Sequence, residues 1–432
     1  MNNLGVGARE RLRTVTLSVF PSKTRKSQTL AEAADWLAVG VAASLPWSTS
    51  ATGILIALWL VAVLPTLDLA GLRREVESPA GGVPVLLWLF GALGMLWADV
   101  TWSERLGGLG GFNKLLCIPL LLTQFRQSAH GARVLCAFLI SALVLLLLSW
   151  TLALFPGFPW SANAPGVPVK DYIMQSIEFV LCAFALFDLA FGSGRAGRWA
   201  QVAGLLALAL VLLADVFFVT TGRTVLLVLP FLIVLLGWRQ FGGRGVLGAV
   251  LLGVVVAALV WTASPYMRQR LSASITDFHA YLATDAPNST GLHLEFLRKS
   301  ISFVATAPVF GHGTGSIPEQ FRNAAVAQSG AAAVASVNPH NQILAVAIQI
   351  GLAGAAILAA MWIAHLALFR GATLIDWIGL MIVTQNIVAS SFNSHLFDFG
   401  EGWLYVFGVG VTGGIVLRQQ DHDPPLQPVP EP

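Results

Sequence analysis

SPYMRQRLSASITDFHAYLATDAPNSTGLHLEFLRKSISFVATAPVFGHGTGSIPEQFRNAAVAQSGAAAVASVNPHNQ, residues 264–342, is the one long polar interruption in an otherwise apolar chain. The other gaps between apolar runs are short. A membrane protein that only moved solutes would not need so long an insertion, whereas one that does chemistry at a membrane surface would. The stretch closes with Asn338-Pro339-His340-Asn341-Gln342 at the mouth of another apolar run. The insertion and the lone His340 at its end set the functional question.

Around that insertion the composition is that of a membrane protein. Of 432 residues, 56% are hydrophobic and 11% charged, against roughly 25% charged in a soluble domain. The expectation is an all-α polytopic membrane protein. About twelve helices near the ~20 residues a bilayer needs centre on residues 34–48, 51–69, 83–98, 109–124, 132–153, 173–191, 199–219, 224–238, 245–263, 340–368, 373–392 and 402–417. The organisation is then a basic tail (1–28), nine helices (29–263), the large loop (264–338), three helices (339–417) and a Pro-rich tail (418–432). The first apolar run reads as a retained anchor rather than a cleaved signal peptide. Cys117, Cys136 and Cys182 all lie in apolar runs and read as small buried hydrophobes.

Lys and Arg choose the sides. The N-terminal tail (Arg9, Arg11, Arg13, Lys23, Arg25, Lys26), the even-numbered connections and the C-tail (Arg73, Arg74, Arg126, Arg133, Arg195, Arg198, Arg239, Arg244, Arg370, Arg418) carry sixteen. The short connections of the other side carry four: Arg105, Lys114, Lys170 and Arg223. By the positive-inside rule both tails are cytoplasmic, and the large loop faces outward, into the periplasm of a Gram-negative host. No internal repeat suggests a transporter built from inverted halves.

The loop reads as partly helical. Leu294, Leu297, Ile301 and Val304 recur at helical spacing and give one apolar stripe, and Pro308 ends that helix. Arg298 and Glu295 lie off the stripe, three residues apart, where they can pair. Gly311-His312-Gly313-Thr314-Gly315-Ser316 lacks the ending of a P-loop; a tight turn and a close approach of backbone to a phosphate both remain open for it. Asn338 suits an N-cap and Pro339 the first helical position, which predicts His340 in the first turn of the tenth helix. Free N–H groups and the positive helix end there favour an anion and keep an imidazole neutral. Arg223, in the short turn Thr220-Thr221-Gly222-Arg223-Thr224, has two readings: an ion pair with Asp215, or a bidentate hold on a phosphate. Lys170 adds charge to the same anion site or is a solvated lysine. Glu178 is a candidate for a polar cavity. The connection Asn393-Ser394-His395-Leu396-Phe397-Asp398-Phe399-Gly400-Glu401 reads first as a solvated loop, although its two carboxylates and histidine could contribute chemistry. No cluster of metal-site spacing stands out.

With these residues the chain resembles the O-antigen ligase and polymerase superfamily. The likeness rests on Thr221-Gly222-Arg223-Thr224, on Arg298 followed by Ala307-Pro308-Val309-Phe310-Gly311-His312-Gly313, and on Asn338-Pro339-His340-Asn341 closing the loop. The layout is most similar to the lipopolysaccharide O-antigen ligase. The resemblance implies a GT-C-type glycosyltransferase of the inner membrane. It would move a glycan from undecaprenyl diphosphate to a sugar hydroxyl of lipid A–core, with membrane lipids as surroundings, no nucleic acid, and neither cofactor nor metal. It maps the family's two functional arginines and one histidine onto Arg223, Arg298 and His340; by their chemistry His340 suits the catalytic base and Arg223, Arg298 and Lys170 the diphosphate, with Asn338, Asn341, Gly311 and Gly313 in support. An O-antigen polymerase and a protein O-oligosaccharyltransferase are the alternatives within the superfamily; a polysaccharide or lipid transporter is the alternative outside it.

Overall fold

The computed structural model describes residues 25–422, apart from 161, 163, 165, 221 and 264. Sixteen α-helices follow one another, with no strand among the described residues. They are α1 (Arg25–Ser44), α2 (Thr49–Val63), α3 (Leu69–Glu77), α4 (Pro79–Gly94), α5 (Trp102–Asn113), α6 (Cys117–Gln127), α7 (Gly131–Leu154) and α8 (Tyr172–Arg195), then α9 (Trp199–Asp215), α10 (Arg223–Ala263), α11 (Pro265–Thr284), α12 (Ser289–Thr306), α13 (Ile317–Ala325), α14 (Gln342–Leu368), α15 (Leu374–Ala389) and α16 (Phe399–His422). Side-chain caps start many of them. Ser48, Asp68, Asp171 and Asn288 each accept from a backbone N–H of the first turn, and Thr101 with Glu104 and Thr373 with Asp376 form reciprocal capping boxes.

The expected twelve spans are not what length and composition give. Eight described segments are long and apolar enough to cross a bilayer, or nine if α3 and α4, bent by 82° at Ser78-Pro79, count as one. Helix α1 opens on polar residues, and α15 has only 16 residues. The predicted eighth and ninth helices share α10, broken at Gly242 with φ +61°. A Cβ on Gly237 would lie 2.7 Å from that of Ala249. Twelve residues of straight helix would separate them by about 18 Å, so α10 doubles back as a hairpin.

The helices surround a core in which Trp59, Trp377, Tyr405, Phe112 and Phe125 are fully buried; α16 packs along α6, α8 along α9, and α14 along α4. Cys117 and Cys182 are buried as expected, whereas Cys136 is exposed on α7, on the rim of an apolar cavity. Charge gathers at two levels. On α16, Glu401 and Asp421 are twenty residues apart, about 30 Å at the rise of a helix and the thickness of a hydrocarbon core. At the Asp421 level Arg126 binds Asp421 at 2.7 Å and Glu75 at 2.9 Å, and Arg239 binds Asp188 at 2.7 Å. At the Glu401 level lie Lys114, Lys170, His395, Asp398 and the start of α14.

Residues 265–341 fold as α11, α12, α13 and a short turn, and α12 ends at Thr306, just before Pro308. The predicted stripe is only partly packed: Val304 lies against the aromatic cluster. Leu297 and Ile301 are exposed, while Phe296 and Phe303 pack on Phe321 beside Ala345 and Ile348 of α14. The aromatic residues hold the buried face of α12, while the stripe is divided: Val304 packs at its edge and Leu297 and Ile301 face outward.

Candidate active site

His340 does not lie in the first turn of α14. Asn341 is the N-cap, accepting from the Leu344 N–H at 3.0 Å, and the helix begins at Gln342. Asn338 instead bends back over Pro339 and accepts from the His340 N–H at 2.9 Å, a local side-chain turn that Asn favours. Two good caps compete here, and the one adjoining the helix wins. His340 itself is left-handed, with φ +54°, a strained state for a residue with a Cβ that its surroundings must enforce.

Those surroundings are specific. The imidazole stacks on Phe296 with centroids 5.8 Å apart and planes within 17°, and meets the edge of His293 at 4.8 Å. Its Nδ1 lies 3.1 Å from Asn393 Oδ1. Burial holds the pKa of His340 below the ordinary histidine value, against the hydrogen bond to Asn393, which works the other way. The ring is therefore neutral at pH 7. No described residue bonds its Nε2.

The glycine-rich turn is accounted for by α14. That helix breaks at Ile350 and Gly351, the latter with φ +71°. The break releases the carbonyls of Ile348 and Gln349 and the N–H groups of Leu352 and Ala353. Residues 308–313 satisfy all four: the N–H groups of His312 and Gly313 donate to the two carbonyls, and Leu352 and Ala353 donate to the carbonyls of Pro308 and Val309. Thr314 N–H reaches Gly94 O, and Gly315 N–H reaches Gln349 Oε1. These amides bind protein, so the turn is a structural splice rather than a phosphate cradle. Gly311 and Gly313 fit because a Cβ on either would strike the backbone of Gln349 or Ala98. Gly351, which the sequence reading passed over, is equally constrained: a Cβ there would lie 2.0 Å from Val309 O.

The three cations are differently placed. Arg298 is bound bidentately by Glu295, at 2.6 and 3.0 Å, with its side chain 68% exposed. At 100° per residue it points nearly opposite to Phe296 and so away from the imidazole. Lys170, also left-handed, donates to Leu45 O and lies among Glu178, Glu401 and Asp171. Burial lowers its pKa and those carboxylates oppose the shift; its charge is balanced by protein. Arg223 is the first residue of α10, following a π-helical turn at Val216–Thr220, and its side chain lies outside the described residues. The described partners of the Asp215 carboxylate are Ser149 at 2.6 Å and Gln175 at 3.5 Å.

The connection 393–401 is no solvated loop. His395 is 1% exposed, and neither ring nitrogen has a hydrogen-bond partner; Asp398 and Glu401 lie 3.6 Å from its Nδ1. Burial takes the pKa of His395 down to about 4 and that of Asp398 up to about 6, the latter opposed by Lys114. The donor atoms of His395, Asp398 and Glu401 lie within 4.8 Å of one another, so this trio is the group among the described residues that could hold a small cation. Lys114 already provides a fixed cation there, donating to Phe397 O and Asp398 O. The regular three-residue spacing of the trio was the available signal. Asn393 joins the cluster to the imidazole, with its Nδ2 2.9 Å from Asp398 Oδ2.

No curated protein matches the chain. Residues 208–359, about a third of the chain, match the family model described as O-antigen ligase; the matched stretch runs from within α9 into the broken α14 and includes Arg223, Arg298 and His340.

Proposed function

We propose that this protein is a membrane glycosyltransferase that ligates an undecaprenyl-diphosphate-linked O-antigen to a sugar hydroxyl of lipid A–core on the periplasmic face of the inner membrane. The observation that carries the reading is His340: a neutral imidazole, clamped by Phe296 and Asn393, whose Nε2 no described residue bonds. In the reaction Nε2 takes the proton of the acceptor hydroxyl as its oxygen attacks the anomeric carbon. The bond from that carbon to the diphosphate oxygen breaks, the lipid diphosphate departs, and a single displacement inverts the anomeric centre. Negative charge grows on the leaving group, and guanidinium groups suit it by bidentate geometry. Arg223, at the N-terminal end of α10, fills that role; Arg298, held by Glu295 and turned away from the imidazole, joins it only on leaving that carboxylate. Lys170 supports the acidic cluster beside the site and belongs to the second rank.

The apolar cavity between α1, α7, α8, α15 and α16, about 240 Å³, supports a lipid substrate. It shares Leu181, Ile382 and Leu404 with a small cavity whose lining includes His395 and Glu401. An isoprenoid tail in the first would run up to the level of the site.

Deletion distinguishes this reading from polymerisation. Without a ligase, long glycans accumulate on the carrier; without a polymerase, single repeats do. His340→Ala at matched expression should lose glycan transfer while the protein remains folded and inserted. Wild-type lipopolysaccharide ladders from that variant would sink the general-base role.

A further inference from the structure

Around His340 the hydrogen bonds close in only one way. The His340 backbone N–H can only donate, so the Asn338 atom 2.9 Å from it is the carbonyl oxygen, which also accepts from Ser394 Oγ at 2.7 Å. The remaining end of Asn338 is then its NH₂ group, a donor, and it meets Asn393 at 3.2 Å. Asn393 must offer Oδ1 there. At its opposite end Asn393 lies 2.9 Å from the Asp398 carboxylate, which as an anion only accepts, so Nδ2 must point that way. Two independent constraints thus orient the Asn393 amide identically, with Oδ1 toward the imidazole. That oxygen is 3.1 Å from Nδ1 and accepts only, so Nδ1 carries the proton. Stacking on Phe296 fixes the ring plane.

Resting on His340 as the general base, we infer that Asn393, pinned by Asn338 and Asp398, is a positioning residue that locks His340 in the Nδ1-protonated tautomer. The partner of one ring nitrogen decides the state of the other. With Nδ1 protonated, the Nε2 lone pair is free to accept the hydroxyl proton; with the proton on Nε2 it is not. As the imidazolium forms, its positive Nδ1–H already faces the Oδ1 dipole, so no reorientation accompanies transfer.

The test uses the full chain in nanodiscs with ¹⁵N-labelled histidine, the His340 signals being identified by subtracting the His340→Gln spectrum. The wild type should display Nδ1 protonated and Nε2 bare at neutral pH. Asn393→Ala should shift the ring toward the Nε2-protonated form and lower kcat by about 10- to 100-fold, within the range of acid–base contributions, while KM stays within about twofold. Asp398→Asn, which keeps the volume but replaces a strict acceptor with an amide that can turn either way, should give a smaller change of the same kind. A wild-type ring protonated on Nε2, or an Asn393→Ala protein that keeps both tautomer and kcat, overturns the inference. If Asn393→Ala does not fold, the wild-type spectrum and Asp398→Asn still decide it. An active His340→Ala protein would remove the base reading separately, leaving the tautomer measurement to stand or fall by itself.

Discussion

At the residue scale, His340 combines three features: a left-handed backbone, a stacked ring and a neutral amide as the partner of its Nδ1. Its depressed pKa has a direct kinetic consequence. A base must be unprotonated to act, so kcat/KM should stay level as pH falls from 7 past the free-histidine value near 6.5, and decline only below it. An acid limb above pH 7 would mean that burial is not the dominant influence on this ring. Arg223 bears a second residue-level expectation. Arg223→Lys keeps the charge but loses the fork, and one charge-assisted hydrogen bond of about 1.5–3 kcal/mol corresponds to roughly a tenfold loss of activity or more; full activity in the lysine variant would remove bidentate phosphate binding. His340 was legible in the sequence because a Pro between two Asn residues marks a helix start. Its place outside the helix was not, because both asparagines can cap and only the fold decides which one does.

At the element scale the broken helix α14 is the device that builds the site. Its four released backbone groups are met by residues 308–313, and this splice ties the end of α12, which bears Phe296 and His293, to the helix that follows His340. Gly351→Ala is the sharpest probe. It would force a Cβ to 2.0 Å from Val309 O at φ +71°, and the backbone strain alone costs of order 1–3 kcal/mol. The variant should melt several degrees lower in detergent and lose activity, although it touches no substrate; unchanged stability would show that the splice can slacken. Apolar periodicity found α12 and its end before Pro308, but it could not tell which apolar residues would be covered. Periodicity reports that a face is apolar, not what covers it, and Phe296 and Phe303 had better partners in Phe321. The same limit hid the 393–401 cluster: polar residues between helices read as solvated until neighbouring helices close over them.

At the scale of the whole molecule, the two charged levels define opposite surfaces, and the path from His340 to the C-terminus says how they relate. Helix α14 starts at one level. Although α15 is short, the bond from Gln342 N to Ser390 O brings its end back beside the start of α14. Leu396 N donates to Gln342 Oε1, so α16 also leaves from that level, and it finishes at Asp421 on Arg126. Three traverses therefore separate His340 from residue 421, and their odd number puts the site and the C-tail on opposite sides whatever the count of spans elsewhere. On the twelve-helix reading sixteen Lys and Arg fall on the tail side against four on the other, and by the positive-inside rule the expectation is a cytoplasmic C-tail. Single cysteines in a cysteine-free background test this directly. With the outer membrane permeabilised and the inner membrane intact, Ser329→Cys, exposed in the insertion, should react with a membrane-impermeant maleimide. Gln419→Cys, exposed near the end of α16, should react only after lysis. Reaction of both in intact cells would break the three-traverse path, and the reverse pattern would put His340 in the cytoplasm, where a ligase acting on outward-facing glycans could not work.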